Sequence, residues 1–409
     1  MENLGDKIEI QKLTKEQGFG YYLARPGEIL NRKYEVKRLV GLGTASSVFL
    51  CLALEADTKE YVAVKILTAD ATDGNKQGVL REAEIMQAIT DLPENGPLPS
   101  LLDNFEIEGV HGLHLCLVMN TLSPDLNAFR TTAPNMALPI HTVKLVIAEM
   151  LEGLNILHQA GIIHTDVKAD NVFFDGPDVK TVEDDLSKNP VIVKSNLELN
   201  GKVYPIMGPQ PLPHQHKWDD DPFLVELYGI HLADFSHAVW KDGEKKMSVV
   251  GSESLRAPEV ILQTGYGPEI DIWAIGCTAF EMLTGRWLFK PDVEEGDPWT
   301  VEDDLLAKMM ELTGERFADT NIFTRSPEWD RFFDANGNLR RIDTLIPVTF
   351  EDALKNYGTL KEEDAAAAAK FITECLHLDP ANRWTAKQLL EHPWMYRGPP
   401  PSCNGAKFG

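Results

Sequence analysis

Hydrophobic and polar positions change rhythm about a third of the way along the 409-residue chain. Between residues 34 and 70, the segments YEVKRLVGLG, SSVFLCLAL and EYVAVKIL alternate apolar with polar positions and are rich in β-branched residues. That pattern predicts strands joined by tight turns. GVLREAEIMQAI spaces its apolar residues as one face of a helix requires, and HLCLVMN reads as a further strand. Long helical stretches follow: HTVKLVIAEMLEGLNILHQAG, EIDIWAIGCTAFEMLTG and DAAAAAKFITECLHL. The predicted fold class is therefore α+β: an N-terminal extension (1–33), a small β-rich N-lobe (34–120), and a larger, mainly helical C-lobe (121–396) before a flexible tail (397–409). The stretch from about 175 to 230 is rich in Pro, Asp, Asn and Gly and reads as a spacer inserted in the C-lobe. Connections that long are functional or disordered.

Composition narrows the class without naming a chemistry. Hydrophobic residues make up 43% and charged residues 25%, the proportions of a soluble globular protein. No apolar run is long enough for a membrane span, and the acidic start MENLGDKIEI lacks a signal core, so neither secretion nor membrane association is expected. A net charge of -24 argues against direct nucleic-acid binding. It suits basic protein partners, or simply a solvated surface. Cys51, Cys116, Cys277, Cys375 and Cys403 are scattered with no C-x-x-C pair, which favours reduced packing cysteines in an intracellular protein. Nothing points beyond a monomer.

Chemistry enters with an ordered series of motifs. Val40-Gly41-Leu42-Gly43-Thr44-Ala45-Ser46-Ser47-Val48 lies at a strand–turn–strand position and fits G-x-G-x-x-G-x-V, with Ser46 in place of the third glycine. Glycines there let backbone amides approach phosphate oxygens, although a plain hairpin turn would also use them. One hairpin downstream, Val62-Ala63-Val64-Lys65 puts a lysine inside an apolar strand, which is costly unless the charge is paired. Glu82 on the next helix is the natural partner, with Glu84 as the competing solvated acid. The stretch HTDVKADN then concentrates Asp166, Lys168 and Asn171 between apolar segments. It fits the phosphoryl-transfer loop H-R-D-x-x-x-x-N except that Thr165 replaces the arginine. Asp166 would accept or orient the proton of the attacking hydroxyl, Lys168 would neutralise the transferred phosphoryl, and Asn171 would bind magnesium. Asp234, in ADFS where D-F-G is expected, would be the main metal ligand. Ala257-Pro258-Glu259 matches A-P-E with Arg383 as the expected buried partner, and Asp271 would brace the catalytic loop from a buried helix. Each alone has a bland reading as a turn, cap or surface residue; six in order do not.

In this series the chain resembles the eukaryotic protein kinases, over essentially residues 34–396. It is more specifically similar to the SR-protein kinases of the CMGC group, which phosphorylate serines in Arg-Ser repeats. YYLARPGEILNRKYEVKRLVGLG, IIHTDVKADN, the spacer, and EWDRFFDANGNLRRI followed by HLDPANRWTAKQLLEHPW carry that narrower likeness. The resemblance implies a bilobal fold and an ATP- and magnesium-dependent serine/threonine kinase. It implies catalytic roles for Asp166, Lys168, Lys65 and Glu82. It implies a nucleotide set of Gly41, Leu42, Gly43, Val48, Ala63, Lys65, Met119, Asn120, Leu122, Asn171 and Asp234, with the hinge at Asn120-Thr121-Leu122 and the metal at Asn171 and Asp234. It also implies an acidic groove, here Asp304 and Glu311, docking basic Arg/Ser-rich substrates; an acidic helix start is the plainer account of those two. A cytoplasmic location, extending to the nucleus, is expected. The chain departs from the family at Arg286, at Ser236 and in its short spacer. Ser252 is expected to bridge Asp166 and Lys168, and Ser248 and Ser254 are candidate phosphosites. Thr165 cannot receive an activation-loop phosphate, so the expectation is a kinase active as synthesised; a pseudokinase or scaffold, or a kinase of other substrate preference, is the alternative.

Overall fold

A computed structural model describes residues 8–214, 216–243 and 250–396. The chain divides into two compact units: residues 1–124, 173–215 and 233–236 form one, and 125–172, 216–232 and 237–409 the other.

The first unit is built on a six-stranded antiparallel sheet. Its strands are β1 (Ile29–Leu30), β2 (Tyr34–Leu42), β3 (Ser46–Ala53), β4 (Glu60–Leu67), β5 (Leu101–Gly109) and β6 (Gly112–Asn120), in the spatial order β1-β2-β3-β4-β6-β5. Two helices, α1 (Ala69–Lys76) and α2 (Glu82–Thr90), follow β4. Directly opposed residues in an antiparallel ladder share a face. Gly41 opposes Val48, Val48 opposes Lys65, and Ala63 opposes Met119, so one face gathers much of the expected nucleotide set. The opposite face carries Leu39, Phe49, Val62, Val64, Ile66, Cys116 and Val118 into the apolar core.

The spacer departs from expectation. Residues 173–214 belong to the sheet unit, not to the helical one, and they include a helix and a hairpin. A spacer helix, Val179–Lys188, lays Val182 and Leu186 against Leu50 and Tyr61. A spacer hairpin, Val193–Leu199 with Lys202–Met207, buries Met207 in the main core and Ile206 beside Tyr21 and Leu23. The buried guanidinium of Arg38 on β2 pairs with Asp185 of the spacer helix. The segment is ordered because its few apolar residues sit at helical and alternating spacing, and the sheet offers them partners.

The second unit is mainly helical, with α3 (Ile140–Gln159), α4 (Glu269–Thr284), α5 (Val301–Thr313) and α6 (Glu362–Cys375) as its longest elements. Helix α4 is buried from Ile270 to its end, as apolar residues on all its sides require, with Asp271 and Glu281 as buried acids among them. It stops at Gly285, whose φ of +73° and whose approach to Asn135 O, 1.8 Å from where a Cβ would stand, admit only glycine. Helix α5 starts with a capping box in which Thr300 and Asp303 satisfy each other's amides. Among the described residues, no helix is long and apolar enough to cross a membrane. Cys51, Cys116, Cys277 and Cys375 are buried free thiols; Cys403 and the tail lie outside the described residues.

Candidate active site

In the sheet unit, the charge on Lys65 is met as the sequence requires. Its Nζ lies 2.5 Å from Glu82 Oε1 and 2.9 Å from Asp234 Oδ1. Burial works against that charge, but the carboxylates of Asp234 and Glu82 outweigh it and hold the lysine pKa above its ordinary value. Glu84, the competing acid, points instead to Arg81 at 2.9 Å. Asp234 adopts a φ of +65°, a left-handed conformation rare for a residue with a side chain. Such strain persists only where surrounding contacts impose it.

The expected hinge segment is fixed within the same unit. Ser123 Oγ donates to Asp175 O at 2.6 Å. Gly176 packs so tightly on Thr121 that a Cβ would stand 2.2 Å from its carbonyl oxygen. Val48, Ala63, Met119 and Leu122 are half-buried and Asn120 is exposed. Apolar side chains with partial exposure suit a flat heteroaromatic ring.

In the helical unit, the catalytic loop is a compact polar knot. Lys168 Nζ lies 2.6 Å from Asp166 Oδ2. Asn171 Nδ2 donates to Asp166 O at 2.8 Å and to Asp166 Oδ2 at 3.1 Å. Ser252 Oγ donates to Asp166 Oδ1 at 3.3 Å, one half of the expected bridge. Asp271, fully buried on α4, accepts the His164 amide at 2.9 Å and the Thr165 amide at 2.8 Å. His158 Nε2 lies 2.9 Å from the same carboxylate. Thr165 stands at a φ of +68°, and its hydroxyl donates to His237 O at 2.9 Å. The position that usually holds an arginine thus ties directly to the backbone beyond Asp234-Phe235-Ser236. Glu259 and Arg383 form the expected buried bidentate pair at 2.7 and 2.8 Å.

Two features here had no signal in the motifs. Arg130 is fully buried and donates to Glu281 at 2.8 Å, and Trp287 Nε1 donates to the same carboxylate at 3.0 Å. In the sheet unit, Tyr21 of the N-terminal extension reaches the glycine loop.

The expected docking acids both lie on α5, seven residues apart and so on one side of it. Each is engaged locally. Asp304 Oδ2 accepts from Lys308 Nζ at 2.6 Å and from the Asp292 amide at 3.0 Å, while Glu311 Oε1 accepts the Ile346 amide at 2.8 Å. Arg286 is exposed. Ser254 is half-buried in a short 3-10 turn, and Ser248 lies outside the described residues.

Residues 34–190 and 220–395 match the family model of the protein kinase domain. The chain belongs to the protein kinase family. The kinase is 29% identical to the serine/threonine-protein kinase SRPK of Physarum polycephalum, over 93% of this chain and 90% of that one. It is 22% identical to human SRSF protein kinase 3, over 92% and 88%. Among solved structures, a crystal structure of a kinase domain superposes with a TM-score of 0.62 at 23% identity, covering 92% of this chain and 99% of that one, which confirms the fold. The chain is a protein serine/threonine kinase, a family whose domain implies ATP as substrate.

Proposed function

We propose that this kinase transfers the γ-phosphoryl group of ATP to serine in basic, Arg/Ser-rich proteins, and does so without prior activation. The observation carrying the catalytic part is that no member of the transfer set is missing. Lys65, Glu82 and Asp234 are joined in the sheet unit, and Asp166, Lys168 and Asn171 in the helical unit. In the transfer, the serine Oγ forms a bond to the γ-phosphorus as the bond to the β-phosphate oxygen breaks, ADP leaves, and the hydroxyl proton passes to Asp166. Lys65, held cationic by two carboxylates, binds phosphate oxygens. Lys168, beside Asp166, offsets the charge that develops on the moving phosphoryl group.

The donor chemistry fits magnesium. Asp234 supplies a carboxylate, and Asn171, whose amide nitrogen is committed to Asp166, leaves its carbonyl oxygen for a cation. When bound, the ion would neutralise and orient the phosphates. The preference for basic substrates rests on the similarity to SRPK and SRSF protein kinase 3 and on the net charge of -24. Asp304 and Glu311 would dock a basic segment only by exchanging their local partners for arginine. Activity without phosphorylation rests on Thr165, whose hydroxyl supplies by direct contact an anchor that an arginine would supply through phosphate.

The test is a peptide panel with purified, phosphatase-treated protein, ATP and magnesium. Arg-Ser repeats should be phosphorylated at once and better than acidic or proline-directed peptides, with the advantage shrinking as salt rises. Equal turnover of all peptides would overturn the substrate class, and a lag abolished by prior phosphorylation would overturn the constitutive state.

A further inference from the structure

The glycine loop of this kinase lacks its third glycine, yet its backbone is fastened at three successive carbonyls. The phenolic oxygen of Tyr21 lies 2.6 Å from Gly43 O and 2.8 Å from Thr44 O. The Thr68 amide donates to Ala45 O at 2.9 Å, and the Gly43 amide closes the turn on Ser46 O at 2.9 Å. Among the described residues no peptide bond is cis. In a trans peptide the carbonyl and the following N–H point in opposite directions across one rigid plane. Fixing the oxygens of residues 43, 44 and 45 therefore fixes the N–H vectors of Thr44, Ala45 and Ser46, and turns those of Thr44 and Ala45 away from Tyr21. Successive amides presented on one side of a turn form a concave anion site.

Tyr21 is itself immovable. It is 1% exposed, stacks on Phe19 with ring centroids 6.3 Å apart, and packs with Leu23 and Ile206, with Leu42 of the loop against the same cluster. The backbone just before it is docked too, since the Ala69 amide donates to Gly20 O at 2.8 Å and the Asp70 amide to Phe19 O at 3.2 Å. Burial also raises the phenol pKa, so the hydroxyl keeps its proton and remains a donor.

We infer that Tyr21, outside the kinase domain proper, is a positioning residue that sets the phosphate-binding conformation of the glycine loop. It compensates for Ser46 by restraint: a loop with fewer glycines samples fewer conformations and must be held in the right one. The inference rests on the reading of residues 41–48 as the phosphate loop.

Tyr21→Phe in the full-length chain tests it, because the ring and its packing stay while the hydroxyl goes. Losing one hydrogen bond should weaken ATP and ADP binding about three- to tenfold. Adenosine, which has no phosphate, should bind the variant as it binds the wild type. The amide resonances of Thr44 and Ala45 should shift and broaden in the nucleotide-free variant. Unchanged ATP affinity with unchanged amide resonances would overturn the inference, and so would an equal loss for adenosine and ATP, which would mean a general loosening of the sheet. Wild-type protein that binds adenosine and ATP equally well would overturn the phosphate-loop reading itself.

Discussion

The glycine loop of the sheet unit and the catalytic loop of the helical unit are held by different kinds of partner. The glycine loop is gripped through its carbonyls, by a phenol from a segment outside the domain. The catalytic loop is gripped through its amides, by the Asp271 carboxylate of a fully buried helix. A charge-assisted acceptor shielded from water makes the stiffer brace, whereas a neutral phenol makes the softer one. The difference suits the proposed division of labour, in which one loop would admit and release a nucleotide and the other would keep an acid–base group in register.

The sharpest way to separate the two is Asp166→Ala. Turnover should fall by about a thousandfold or more, while ATP affinity measured by titration stays at the wild-type level. A parallel loss of affinity would mean the division of labour is wrong. Next, Asp271→Ala strands two buried amides and should cost about 3 kcal/mol of stability in denaturant unfolding. It should lower kcat far more than it raises the Kd for ATP; the reverse pattern would place the brace in the nucleotide half.

The two units also carry histidines of opposite sign. Burial pushes His114 in the sheet unit down to about 4, with its Nδ1 2.8 Å from Leu67 O. The folded unit therefore refuses a proton that the unfolded chain accepts, and stability present above about pH 6.5 is lost as pH falls toward 4. The loss approaches about 3 kcal/mol at the acid end. His377 in the helical unit is raised instead, by its hydrogen bond to Glu315 and in spite of partial burial. Its contribution is complete below about pH 6.5 and fades as pH rises through the folded value. Amide exchange followed from pH 5 to pH 8 should show the sheet loosening first on the acid side, and His114→Gln should flatten that limb. Acid loosening that began in the helical unit would contradict the assignment. The smallest effect is expected of Thr165→Val, which removes the bond to His237 O at nearly constant shape. It should cost about 1 kcal/mol and a few-fold in kcat, with no change in the Kd for ATP.

Much of this was legible in the sequence where a residue's role is fixed by the chemistry of its motif. Lys65 in an apolar strand demanded a carboxylate, and Glu82 was its partner. Arg383 and Glu259, like Asp271 beneath the loop, stand where the motifs placed them. What escaped was held by contacts distant in sequence or by weak local patterns. Strand β5, with Phe105 and Ile107 turned inward and Asn104, Glu106 and Glu108 outward, follows a proline-rich stretch that hid its alternation. Helix α1 contains Gly74 and gains its start from the Thr68 cap. The spacer was misjudged by composition, although Asn200-Gly201, at φ of +52° and +72°, is a strong two-residue hairpin signal between alternating segments. For Tyr21 there was no local signal at all, since its partners lie 22 and 23 residues away.

The route of the chain through the spacer has a consequence for synthesis. The sheet unit draws on residues up to 124, then on 173–215, and finally on 233–236. A ribosome releasing the first 124 residues has not yet supplied Met207, Ile206 or Val182 to the core, nor Asp234 to Lys65. At ordinary elongation rates the missing pieces emerge on the order of ten seconds later. During that interval apolar surface on β2, β3 and β4 waits uncovered, with the buried charge of Lys65 one carboxylate short. The sheet unit, although begun first, is thus left open to chaperones and to aggregation until residue 236 has emerged.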